Sequence, residues 1–199
     1  MNGLRLYLRS RHVIIAVVVV AVINLAGWII GRAEFRPNED SVWGVPWLLF
    51  LPVASAVAVA LSLRSPSDTL DRVAARPLAA WRGVHLLVVV IPSIVGTVLL
   101  SSLLSGPYGA VAGLRNVVGF TGLTLLSAVV IEGRLCWLAP LGWGIVAMTL
   151  GDPRSGMVPF DWPVRYDDDF GAFVVALVFA VAGMAAVLLG TREPRHEDQ

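Results

Sequence analysis

"VIIAVVVVAVINLAGWIIG", Val13 to Gly31, contains no charged side chain. A helix rises 1.5 Å per residue, and about 20 apolar residues cross the ~30 Å hydrocarbon core of a bilayer. The length of the run predicts a membrane-crossing helix. The basic lead-in "MNGLRLYLRSRH" has the look of a secretory signal. The apolar run is too long for a signal core, however, and no small-residue cleavage site follows it, so a retained span is expected.

Five further stretches extend the pattern: Val42–Leu63, Val84–Ser105, Ala110–Ile131, Leu135–Leu150 and Ala172–Gly190. The stretch from Leu135 is short and interrupted by Pro140, Gly142 and Gly144, so it needs neighbouring helices to satisfy its backbone. The expectation is an all-α polytopic membrane protein: one transmembrane domain over residues 1–199, with six spans.

Composition agrees. Hydrophobic residues make up 57% of the chain and charged residues only 15%, against about 25% charged in soluble domains. Mean hydropathy is +0.77. Every basic residue is arginine. Without lysine there is no Walker A loop and no protein-kinase site, so ATP hydrolysis by those routes is excluded. A net charge of +1 gives no reason to expect nucleic acid. The single cysteine, Cys136, forbids an internal disulfide, a CxxC redox pair and a cysteine zinc site. No HExxH, no GxSxG and no pair of acids within a span occurs, and Glu132 stands alone at a span edge. The chain is therefore not read as an enzyme, and neither a metal nor a cofactor is expected.

Loop charge orients the spans. With the N-terminus inside, the inner segments carry Arg5, Arg9, Arg11, Arg64, Arg72, Arg76, Arg82, Arg134, Arg192 and Arg195. The outer ones carry Arg32, Arg36, Arg154 and Arg165. Both termini are expected in the cytoplasm, in a multi-pass protein of the cell membrane surrounded by lipid. The inner loop 64–83 reads as a short helix: Ser65 precedes Asp68 in a capping-box spacing, Pro66 suits a first turn, and Leu70, Val73 and Ala74 share a face that Pro77 ends. The outer loop 151–171 mixes Phe160 and Trp162 with prolines and three aspartates, a short amphipathic segment suited to the membrane–water interface. Small residues recur at four-residue spacing, as at Gly27 and Gly31 or Ala172, Ala176 and Ala180, which permits close helix approach.

Arg115, in "GLRNVVGFTGL" (residues 113–123), is the one charge inside a span. It lies near the outer end, where a snorkelling guanidinium reaches the headgroups at little cost. It also shares a helix face with Gly119 and Gly122, which directs it towards protein or a polar pathway. Asn116, and Asn24 in the first span, are either interhelical hydrogen-bonding groups or further pathway contacts. Asp167, Asp168 and Asp169 suit a solvated acidic loop better than a cation site. His85, at an inner helix start, is expected at the interface.

The stretch "RNVVGFTGLTLL", followed by "IEGRLCWLAPLGWGI", together with the six-span plan, resembles the permease subunits of six-helix ABC-type exporters of the small actinobacterial kind. The resemblance covers nearly the whole chain, through topology more than signature residues, and the interface helix before the first span would be minimal. It implies a cytoplasmic ATPase subunit docking on Asp68, Leu70, Asp71, Arg72, Val73 and Arg76. It further implies a homo- or heterodimer of permease chains, an outer loop acting as a gate, and a hydrophobic drug, peptide or lipid as cargo. Arg115, Asn116 and Asn24 would line the pathway. The contrasting reading is a non-transporting accessory or immunity protein that binds a partner; an intramembrane enzyme ranks below both.

Overall fold

The computed structural model describes residues 13–31, 34–35, 45–62, 78–104, 108–131, 135–154 and 159–190. Six α-helices make up most of them: α1 (Val13–Ile30), α2 (Phe50–Ser62), α3 (Leu78–Leu104), α4 (Ala110–Val130), α5 (Leu138–Leu150) and α6 (Phe170–Gly190). A two-residue antiparallel bridge pairs Glu34–Phe35 with Val45–Pro46 between α1 and α2. Helices α1, α3, α4 and α6 are long and apolar enough to cross a membrane.

The other two are shorter than the sequence suggests. In the stretch from Val42, Val45 and Pro46 belong to the bridge and a single 3₁₀ turn, Trp47–Leu49, leads into α2. Pro52 falls in the first turn of α2, where its missing N–H costs nothing. In the stretch from Leu135, the helix starts only at Leu138, with Pro140 again in the first turn, and then runs unbroken through Gly142 and Gly144. Thirteen residues, the length of α5, rise about 20 Å, well short of the hydrocarbon thickness. Helix α3 departs the other way: it begins at Leu78, inside the expected 64–83 loop. The remainder of that loop, with Asp68, Leu70, Asp71, Arg72, Val73 and Arg76, lies outside the described residues.

Helix α4 is the axis of the bundle. It is the most buried of the four long helices and packs against α6, α3, α2 and α5. Helix α1 lies on α2 and α3 at the edge of the bundle. Glycines set the closest approach. A Cβ on Gly122 of α4 would stand 2.4 Å from the backbone of Ala180 in α6, and one on Gly183 would stand 2.3 Å from the carbonyl oxygen of Gly122. Two backbones in contact leave no room for side chains between them, so α4 and α6 are held by short-range packing along their length. Apolar side chains of α1, α3 and α6, among them Ile14, Ile29, Leu99, Leu103, Phe170 and Val178, point away from the bundle.

Candidate functional site

Between α5 and α6 the chain does not pass over the end of the bundle. It folds back into it. A 3₁₀ turn, Trp162–Val164, is fully buried and touches α4, α5 and α6. The Trp162 ring packs on Phe120 with centroids 4.9 Å apart and lies near Phe179 at 6.3 Å. Gly119 makes this possible, since a Cβ there would stand 2.4 Å from the indole. The indole Nε1 has no hydrogen-bond partner. On the α5 side, Trp143 donates its Nε1–H to the carbonyl of Phe160 at 3.1 Å.

Irregular backbone at this depth carries carbonyls that no helix satisfies, and each costs free energy unless a donor reaches it. Arg115 and Asn116 are those donors. The guanidinium is 1% exposed and Asn116 is fully buried. Arg115 donates through Nη1 to the carbonyl of Tyr166 at 3.0 Å, and through Nη2 to those of Arg165 at 2.7 Å and Pro163 at 3.5 Å. Its Nε–H goes to Asn116 Oδ1 at 3.1 Å, and Asn116 Nδ2 donates to the Pro163 carbonyl at 2.7 Å. One planar cation and one amide thus hold a turn about 50 residues away in sequence, in the fork geometry that distinguishes arginine from lysine.

Acidic residues of the connection complete the structure. Asp161, fully buried, pairs with Arg165 through Nε at 3.0 Å and through a second, shorter contact at Nη2. Asp167 accepts from the backbone N–H of Ala112 in the first turn of α4. Asp169 accepts from Ala172 N at 2.9 Å in the first turn of α6. The carboxylates of Asp167 and Asp169 each meet a helix N-terminus, where unpaired N–H groups and the helix dipole favour them. Asp168 is exposed. The acidic run therefore caps two helices rather than forming a solvated cluster, and no group of metal-ligating side chains occurs among the described residues. Beside the caps, Tyr108 packs on Tyr166 with centroids 5.3 Å apart. Burial, reinforced by Tyr166, pushes the Tyr108 phenol above its usual range. Arg154, exposed on the surface, donates to the Tyr166 hydroxyl at 3.4 Å, which raises its own pKa.

Of the three residues expected to line a pathway, Arg115 and Asn116 come together and Asn24 stands apart. Asn24 is on α1 against Gly96 of α3, and its Nδ2 donates to its own helix at Val20 O, 2.9 Å away. His85, expected at the interface, is buried against protein, with its Nε2 3.1 Å from Ser62 Oγ, which in turn donates to Val59 O at 2.8 Å. Asp161, Trp162, and the capping roles of Asp167 and Asp169 are additions from the structure. No protein-family model matches the chain, and comparison with curated proteins and with solved structures finds no similar protein.

Proposed function

We propose that this chain is the membrane-spanning subunit of an ATP-driven exporter for hydrophobic or amphipathic cargo, with the Gly151–Asp169 connection as its outer gate. In this reading the short helices α2 and α5 complete a six-span bundle with both termini in the cytoplasm of a multi-pass cell-membrane protein. Permease chains pair as a homo- or heterodimer, and a separate ATPase subunit docks on residues 64–77. The observation that carries the reading is the connection itself. A buried element held by hydrogen bonds to one arginine and one asparagine can be released as a unit when those bonds are exchanged. The absence of lysine supports a division of labour in which ATP is hydrolysed elsewhere.

A second reading, a non-transporting accessory or immunity protein, is favoured by the backbone contact of Gly122 with Ala180, which suits a bundle that stays shut. Affinity purification from native membranes separates the two. An exporter subunit brings down a Walker-motif protein with ATPase activity, and the doubly substituted Leu70→Asp, Val73→Asp chain does not. Recovery of the intact chain without ATPase activity overturns the exporter reading.

A further inference from the structure

Two apolar layers close the junction of α1, α2 and α3. In one, Leu48, Leu51 and Leu100 pack with Ile23. In the other, Val20, Val59, Leu86 and Val89 pack with Leu125. Helical register brings three polar side chains to the level between them. Ser55 of α2 is one turn from Leu51 and one turn from Val59, on the face they share. Thr97 of α3 falls between Val89 and Leu100. Asn24 of α1 falls between Val20 and Gly27, and Gly27 itself abuts Leu51 and Leu100. Asn24 lies flat on Gly96, where a Cβ would stand 2.4 Å from its side-chain oxygen.

Each of the three presents an oxygen without a partner: Asn24 Oδ1, Ser55 Oγ and Thr97 Oγ1. Thr97 is completely buried and Ser55 is 1% exposed. Helical hydroxyls ordinarily turn back to a carbonyl of the preceding turn. In this bundle Ser62, Ser93, Ser102, Thr124 and Thr149 do so, at 2.7–3.2 Å. Ser55 and Thr97 have the same option and do not take it. An unmade hydrogen bond in an apolar interior is destabilising, and a buried water makes about three bonds to groups of this kind.

We propose that Asn24, Ser55 and Thr97 enclose an internal water-binding site between the two apolar layers. The water donates to Asn24 Oδ1 and to one hydroxyl, and accepts from the other. Three helices then share one ligand at their common junction. The site does not depend on the chain being a transporter.

Water-edited solid-state NMR of the full, labelled chain in lipid bilayers tests this directly. Side-chain signals of Ser55 and Thr97 should gain polarisation from water at mixing times too short for Val59 and Val89. Build-up as slow as that of the two valines overturns the proposal. Substitution gives a second readout of opposite sign. With a shared water, Thr97→Val and Ser55→Ala each lower the thermal midpoint by about 2–4 °C, and the double variant loses less than the sum. An unchanged or raised midpoint in both single variants, the result of deleting hydroxyls that bond to nothing, overturns it as well.

Discussion

Nη2 of Arg115 donates to the backbone carbonyl of Arg165 at 2.7 Å, while the side chain of Arg165 turns the other way to Asp161. The two arginines are neutralised by different means. One faces a carboxylate; the other faces the oxygen ends of peptide dipoles. Their removal has correspondingly different consequences.

Arg115→Leu keeps much of the volume but strands the carbonyls of Arg165 and Tyr166, while that of Pro163 keeps its bond from Asn116 Nδ2. Hydrogen bonds to charged groups contribute about 1.5–3 kcal/mol each, with strong non-additivity, so a loss on the order of 3 kcal/mol is expected. Proteolysis at the α5–α6 connection should accelerate in the leucine variant. Arg115→Lys should fall between it and the parent, since an ammonium cannot reproduce the fork.

Asp161→Asn leaves buried Arg165 with only the more distant Asp169 carboxylate, 4.0 Å from its Nε, and should destabilise by about 3 kcal/mol. The double variant Asp161→Asn, Arg165→Met should recover part of the loss. A thermal-melt double-mutant cycle measures the coupling, and additive effects would show that the pair contributes nothing jointly.

Gly122→Ala pushes a methyl group into the backbone of Ala180, so α4 and α6 must separate. Gly142→Ala, in the middle of α5, meets nothing within 4 Å. The first should lower the detergent-solubilised thermal midpoint, and the second should leave it unchanged or raise it slightly through helix propensity.

The three aspartates should separate cleanly. Asp167→Ala and Asp169→Ala each remove a helix cap and should cost about 1 kcal/mol. Asp168→Ala should be silent in the same melts.

The alkaline limb of stability should carry the mark of Tyr108. Its phenol is raised by burial and by Tyr166, so it keeps its proton in the folded chain at pH values where the unfolded chain, titrating near ~10, has lost it. The unfolded state then binds fewer protons. The stabilisation is complete below that pH and declines as pH rises above it. Tyr108→Phe should flatten this decline in a pH series of melts.

Helices whose lengths match the hydrocarbon thickness were legible from composition, and α1 and α4 end within a residue of their apolar runs. The boundaries that shifted did so through contacts invisible to a hydropathy window, such as the bridge that holds Val45 and Pro46 out of α2. Proline placement was ambiguous for a related reason: Pro140 breaks a helix interior but suits a first turn, and only the true start at Leu138 decides. The site divides the same way. Arg115 and Asn116 stand out as polar groups in an apolar run, and Asp169 has the local spacing of a helix cap. The carbonyls that Arg115 grips have no sequence signature, because every residue carries one. The reach of Asp167 to Ala112 spans 55 positions and follows from tertiary structure alone.

A grip on carbonyls is indifferent to lettering. Arg115 and Asn116 recognise the path of the main chain at residues 163–166, not the side chains hung on it. Substitution tolerance across this contact should therefore be lopsided, strict on the helix and permissive at Tyr166, whose ring is half-buried. The connection is free to change what it presents at its surface while keeping how it is held.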